Sequence, residues 1–530
     1  MDYVSQYTIK SLICQSSMSL FRKTIIFLIL LELLSIFAWG WPVFNSFCFV
    51  VILGLVFILS LKNLSFGILI ALGELIIGSH GYLFSLNIGQ GSTLISIRLG
   101  IFLVVMLAFA IQLVKKGLNN YWQELKAFRF FRYYLLLAIA IVWGFAWGLI
   151  RGNDFGNIFL DFNNWLFFLY LLPLISVSQE EKFWLALRNV ALSCLVWLIF
   201  KTLLFFYIFA HQFLWALPEA YLWVRDTRVG EITRFTDTFY RVFFQSQIYA
   251  LLGFFIFLPL VKKVRITYYS LLSIVCLSAV LVSLSRSFWV GVIIALVIYF
   301  LFLIYQLRVT HYTLRVASKT FLQRLLLVIL IILVSFALLF TVAYAPPQIS
   351  GNLANLFRDR ATEVEAAGSS RINMLKPLLL SIVNHPVIGS GFGTTVTYQS
   401  ADPRIIPATA GGTGEFTTYA FEWGYLDLLL KIGLAGLFVY LLLIYKLLCV
   451  VWQQTKSAIS NQRSAISNSL PGLFLSLLAL LTVNVFTPYL NHPLGIGFIL
   501  IVSVWLNCQQ AKELSSSGLN RGSTPYYPNK

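Results

Sequence analysis

The chain alternates between long apolar runs and short polar breaks. Runs of roughly 17–25 apolar residues, the length that crosses a bilayer as a helix, lie near 24–40, 43–61, 64–79, 96–114, 133–150, 160–178 and 189–210. More follow near 242–261, 267–284, 288–307, 325–345, 424–446, 469–487 and 491–507. The pattern predicts an all-α polytopic membrane protein of about 14 transmembrane helices. One interval departs from it. Residues 346–423 are polar and glycine-rich with no membrane-length apolar run, and so long a connection is more often functional than a spacer.

Composition supports this reading. Of 530 residues, 59% are hydrophobic and 11% charged, against about 25% charged in soluble domains. The net charge of +18 would suggest nucleic acid as a partner of a soluble protein. Here lysines and arginines held in cytoplasmic loops account for most of it, so no nucleic-acid partner is expected. The six cysteines are scattered without a CxxC pair, which suggests neither a disulfide framework nor a zinc site. The apolar run after Arg22-Lys23 ends in Trp39-Gly40-Trp41-Pro42. That is not a small-x-small cleavage site, so the run reads as a first spanning helix.

Charge also sorts the loops. Arg22/Lys23, Lys62, 115–132, Lys182/Arg188, 262–265, 308–324, 446–463 and the tail from Lys512 fall on alternate loops. Placing these in the cytoplasm puts both termini inside and requires an even number of spans. The external set is then 80–95, 151–159, 211–241, the Ser285-Arg286-Ser287 turn, 346–423 and the turn at Pro488. Its cations are Arg151, Arg225, Arg228, Arg234, Arg241, Arg286, Arg358, Arg360, Arg371 and Arg404, beside a single lysine, Lys376. Arginine offers a fixed charge and a planar fork that grips phosphate oxygens bidentately. A diphosphate ligand at the external face would explain the selection; simple pairing with Asp226, Glu231, Asp237, Asp359 and Glu363 is equally open.

Charges within the runs are few. Glu32, Glu74 and Lys201 are expected to face a cavity or a partner, and a proton or ion relay is one use for them. Asp161, Asp427 and Lys431 lie toward run ends, where the cost is smaller. No GxxxxGK[ST], HExxH, GxSxG or DxD pattern occurs, so an enzyme here is expected to need no metal or cofactor and to use a donor already activated in the membrane.

The densest set of motifs lies around the long loop. Val282-Ser283-Leu284-Ser285-Arg286-Ser287-Phe288-Trp289-Val290-Gly291 opens one helix. The loop carries Ser370-Arg371 and then Asn384-His385-Pro386-Val387-Ile388-Gly389-Ser390-Gly391-Phe392-Gly393. The next helix opens Glu422-Trp423-Gly424-Tyr425-Leu426-Asp427 and continues through Lys431 to Leu437. This order resembles the O-antigen ligase and polymerase superfamily of bacterial cell-surface polysaccharide assembly, over about residues 270–445. The chain then divides into N-terminal transmembrane helices (1–266), a ligase-related region (267–446), and C-terminal helices with a cytoplasmic tail (447–530).

The resemblance implies a multi-pass plasma-membrane glycosyltransferase. It would take a glycan from a polyprenyl diphosphate carrier at the external face and pass it to a glycan or lipid acceptor, with chain-length or export proteins as potential partners. Arg286 and Arg371 match the family's arginines and are expected to hold the diphosphate, with Arg358 and Arg360 nearby. Fixed cations aimed at the leaving group stabilise the transition state without a metal. Interface snorkelling of Arg286 and a surface ion pair for Arg371 are the competing readings. Gly389, Gly391 and Gly393 permit the close backbone approach that a saccharide or phosphate site needs. Pro386 is expected to end a short helix over 377–384, leaving His385 as either a C-terminal cap or a base. Where the ligases place a histidine, this chain has Glu422, a second candidate base. That departure favours polymerase over ligase. A flippase or exporter of the same glycans is the rival from another class, and would need its arginines in a central cavity.

Overall fold

The computed structural model describes residues 2–87, 94–234, 240–261, 267–309, 314–345, 357, 366–400, 413–460 and 469–516. Helices dominate it. The N-terminal part comprises α1 (Asp2–Trp39), α2 (Pro42–Lys62), α3 (Leu64–Gly78), α4 (Ile97–Lys116), α5 (Leu118–Ala127) and α6 (Phe131–Ile150). Then come α7 (Phe155–Trp165), which continues through a 3₁₀ turn into α8 (Leu171–Val177), α9 (Glu181–Ala210) and α10 (Leu217–Asp226). The C-terminal part holds α11 (Ile248–Phe257), α12 (Tyr268–Val282), α13 (Arg286–Val309), α14 (Leu314–Tyr344), α15 (Ala366–Asn384), α16 (Gly424–Ser460), α17 (Leu470–Val483) and α18 (Pro493–Ser516).

Among the described residues, eight helical segments are long and apolar enough to cross a membrane, and five shorter apolar helices accompany them. Local chemistry sets several starts. Ser96 accepts a hydrogen bond from Leu99 N–H at the head of α4, while Lys115 and Lys116 occupy its last turn. Asp154 caps α7 through Asn157 N–H, and Thr267 and Ser270 cap α12 reciprocally. Each device satisfies a backbone group that a helix end leaves unpaired.

The apolar residues split into two populations. Segment 155–177 and α9 are the most buried of the long spans, whereas α2, α6 and α14 are the least. Leu55, Val142 and Leu333 point outward from that outer set, as residues facing lipid do. Three two-stranded hairpins add to the helices: β1 (Ser85–Asn87) with β2 (Leu94–Ser96), β3 (Gly230–Arg234) with β4 (Tyr240–Phe244), and β5 (Val396–Gln399) with β6 (Glu415–Thr418).

The loops contact one another in two separate groups. At one end Trp39 bonds Asp226, Ser35 bonds Leu83, the His80 and His492 rings meet at 5.5 Å, and Ser287 bonds Thr487. At the other, Ser65 bonds Glu180, Arg129 bonds Asn507, and Arg324 bonds Val261. This is the same partition that alternating charge makes along the sequence.

Glu32, Glu74 and Lys201 each face a partner of opposite charge, one of the two settings expected of charges inside the runs. Lys201 Nζ lies 2.5 Å from Glu32 Oε1, and Arg98 donates to both Glu74 oxygens at 2.7 and 3.0 Å. Arg98 also donates to Ser79 O at 2.6 Å. The Glu32–Lys201 pair is separated by 169 positions in sequence, so hydropathy alone does not reveal it.

Candidate functional site

The described part of the long loop from Ala366 onward is folded. α15 packs on the β5–β6 hairpin and on the first turns of α16, around a small core of Met374, Leu378, Ile382, Val396, Tyr398, Phe421 and Leu430. α15 starts at Ala366, eleven residues before the expected 377, and carries Pro377 inside it. The polar AAGSSR start hides the first turns from an apolar-run reading.

The glycine segment after α15 performs a specific task. α16 is broken at Gly433, whose φ of 68° and ψ of −178° suit only glycine. In an unbroken helix Leu434 N–H would donate to Leu430 O, and Ala435 N–H to Lys431 O. Here Ser390 N–H and Gly391 N–H donate to Leu430 O and Lys431 O, while Leu434 N–H and Ala435 N–H donate to Pro386 O and Val387 O. The inserted segment therefore satisfies both lips of the break. On its other side Phe392 N–H donates to Gly144 O of α6, and the Trp143 and Trp147 indoles donate to Ile388 O and Gly389 O at 3.1 Å. Gly389, Gly391 and Gly393 all have positive φ, and a Cβ on Gly391 would sit 2.3 Å from Gly148 N. Close backbone approach is indeed what these glycines permit, and the partner approached is the chain itself.

Beneath this segment Lys431 Nζ lies 2.7 Å from both Asp161 Oδ1 and Asp427 Oδ1. Asp161 Oδ2 accepts from Gly393 N–H at 2.8 Å, and Asn491 donates to Asp427 Oδ2 at 2.5 Å. All three charged side chains are less than a tenth exposed. The sequence placed them near run ends; the fold brings them together as one buried cluster. Just outside, burial and then the Asp161 carboxylate push the Tyr419 phenol above its usual pKa, with Tyr82 and Arg228 also close enough to act on it.

Arg371 and Glu422 face each other. Arg371 Nε and Glu422 Oε2 form an ion pair, with the two side chains 41% and 49% exposed. Trp423 donates to Arg371 O at 3.0 Å, and its ring lies 5.8 Å from that of Phe486. The neighbour of Phe486, Thr487, bonds Ser287 at 3.2 Å, and Ser287 bonds Ser285 at 2.9 Å. Arg286, the first residue of α13, stands between those two serines. Leu284, two residues before it, has a φ of 46°, rare for a residue with a bulky side chain. Arg241 closes the other flank, donating to Ser283 O at 2.8 Å and lying 3.8 Å from Glu231. The turn 484–491 thus links Ser287, the neighbour of Arg286, to Trp423, the neighbour of Glu422, a role that its sequence gave no reason to assign.

His385 belongs elsewhere. It pairs through Nε2 with Arg151 Nη1, and because a guanidinium only donates, that ring nitrogen accepts. Arg371 and His385 stand toward opposite ends of α15, about 20 Å apart along its axis at 1.5 Å per residue. Of the remaining external arginines, Arg225 pairs with adjacent Asp226 at 2.8 Å and Arg228 lies 4.6 Å from the Tyr82 ring. Arg358, Arg360 and Arg404 fall outside the described residues, as do Asp237, Asp359 and Glu363.

Residues 271–441 match the family model described as O-antigen ligase. The match runs from the start of α12 into α16, so it takes in Arg286, Arg371, His385, the glycine segment, Glu422 and Lys431. It bears out the resemblance drawn from the motifs and ties this multi-pass membrane protein to surface polysaccharide assembly. The helices before 271 and after 441 lie outside it. No curated protein matches the chain.

Proposed function

We propose that this protein polymerises a surface polysaccharide, of O-antigen or exopolysaccharide type, at the outer face of the plasma membrane. The donor is a glycan on a polyprenyl diphosphate; the acceptor is another lipid-linked glycan. Both termini and the cation-rich loops of the opposite end lie in the cytoplasm. The observation that carries the reading is the half-exposed Arg371–Glu422 pair, inside the family-matched region, whose neighbour Trp423 is linked through the turn 484–491 to Ser287, the neighbour of Arg286.

The pair suggests how the reaction is armed. At rest each partner occupies the other. A donor diphosphate brings more charge and a better bidentate match to the guanidinium than a single carboxylate does. Binding therefore draws Arg371 onto phosphate and frees Glu422. The acceptor hydroxyl then gives its proton to Glu422 as its oxygen bonds to the anomeric carbon. The bond from that carbon to the carrier phosphate breaks, and the diphosphate leaves with the electron pair. Arg371 and Arg286 stabilise the charge that develops there, the part a metal ion plays in other transferases.

Transfer to a lipid or other acceptor, as in a ligase, is a second reading, favoured by the description of the matching family. The flippase alternative has less support. Among the described residues, Arg98, Lys201 and Lys431, the cations buried inside the bundle, each pair with an acid, which leaves no cationic central cavity for a diphosphate.

Glu422→Gln keeps size and removes basicity. The purified variant should bind lipid-linked donor at native affinity and lose about 100- to 10,000-fold in turnover. Native turnover by Glu422→Gln alongside a dead His385→Ala would transfer the role of base to His385.

A further inference from the structure

At the end of the bundle opposite Arg371 and Glu422 lies a cavity of about 410 Å³. Residues 126–129 and 131–133, where α5 gives way to α6, and Lys446 of α16 form its walls. Four lining side chains are cations, Lys126, Arg129, Arg132 and Lys446, and none is an acid. Glu124, two residues before Lys126, is engaged by Lys116 at 2.9 and 3.2 Å. The position of Arg129 is fixed from behind: its backbone N–H donates to Asn507 Oδ1 at 3.0 Å, and its guanidinium lies 5.9 Å from the Phe130 ring.

The surroundings say what kind of anion fits. Next to the cavity, Leu135 and Leu136 on α6 and Leu441 and Tyr445 on α16 are exposed, and these two helices pack against each other. Trp122 on α5 lies 5.1 Å from Lys126 Nζ and 5.8 Å from the Phe131 ring, the kind of aromatic found at headgroup level. A soluble phosphate would gain from the cations alone. A lipid gains from both the cations and the apolar seam that leads away from them. We propose that this cavity binds the headgroup of an anionic phospholipid of the inner leaflet, with its acyl chains along the α6–α16 seam. The site is independent of the glycan-transfer reading, since it uses other residues at the other face.

The test uses the full chain in detergent, with lipid retention read by native mass spectrometry. Phosphatidylglycerol and cardiolipin should be retained and phosphatidylcholine lost. Each cation beside an anionic headgroup is worth about fivefold, so Arg132→Gln with Lys446→Gln should weaken retention by about 30-fold. Lys62→Gln with Lys182→Gln removes two charges at the same end but off the cavity, and should change retention less than about twofold. Should the first pair fail to fold, Arg132→Gln alone, at an exposed side chain, should still cost about fivefold. Equal losses from both pairs would reduce the effect to general leaflet attraction and overturn the site. Displacement of the lipid by millimolar inorganic phosphate, or equal retention of phosphatidylcholine, would overturn the lipid assignment.

Discussion

Two kinds of ion pair occupy this chain, and their surroundings give them different work. Lys431 sits between Asp161 and Asp427 with all three side chains under a tenth exposed. Arg371 and Glu422 make the same kind of contact with nearly half of each side chain open. A buried charge that loses its partner has no water to replace it, so the first cluster holds position. An exposed pair contributes about 0–1 kcal/mol, because water and ions compete well with either partner. The second pair can therefore open to a ligand at little cost. Weak pairing is what a binding site requires and what a structural joint must avoid.

The largest effect expected is on the buried cluster. Lys431→Met leaves two aspartates facing each other without a cation, and should destabilise the protein by about 3–5 kcal/mol, measured by thermal melting in detergent. A Lys431→Met protein as stable as the parent would erase the distinction between the two pairs. Next in size is Arg286→Lys, which keeps the charge and loses the fork. A hydrogen bond to a charged group is worth about 1.5–3 kcal/mol, so polymer formation should fall about 10- to 100-fold while the amount of protein in the membrane stays normal. Native polymer from Arg286→Lys and Arg371→Lys alike would end the diphosphate assignment. The smallest effect belongs to Arg225, an exposed residue paired with its own neighbour. Arg225→Gln should change neither melting temperature nor polymer yield. A loss there would show that the external arginines act as one field rather than through the few beside Glu422.

How much of this was legible beforehand follows from the range of each interaction. A bilayer demands a long apolar run for each helix, so the spans and the odd polar stretch at 346–423 stand out in the sequence. The motif order around Arg286, Arg371 and Glu422 was readable too, and the family match agrees with it. What the sequence withheld is pairing at a distance. Glu32 meets Lys201 and Asp161 meets Lys431 across 169 and 270 positions, and nothing local marks either couple. Arg98, the partner of Glu74, is a lone charge near the start of an apolar run. The break at Gly433 was hidden as well, because hydropathy runs smoothly across a glycine whose backbone has left the helix.

That break has a consequence for the order of events during synthesis. Gly148 of α6 and Gly433 of α16 grip the same inserted segment, yet almost 300 residues separate them. At about 5–20 residues per second, α6 waits roughly 15–60 s in the membrane before its counterpart is made. The upper lip of α16 emerges with Leu430 O and Lys431 O unmet, a costly state in hydrocarbon, while the glycine segment that meets them was made some forty residues earlier. The seam between the two ends of the chain therefore closes late, once the helices on both sides are present. A ribosome that stalls or terminates before α16 leaves that segment with nothing to insert into.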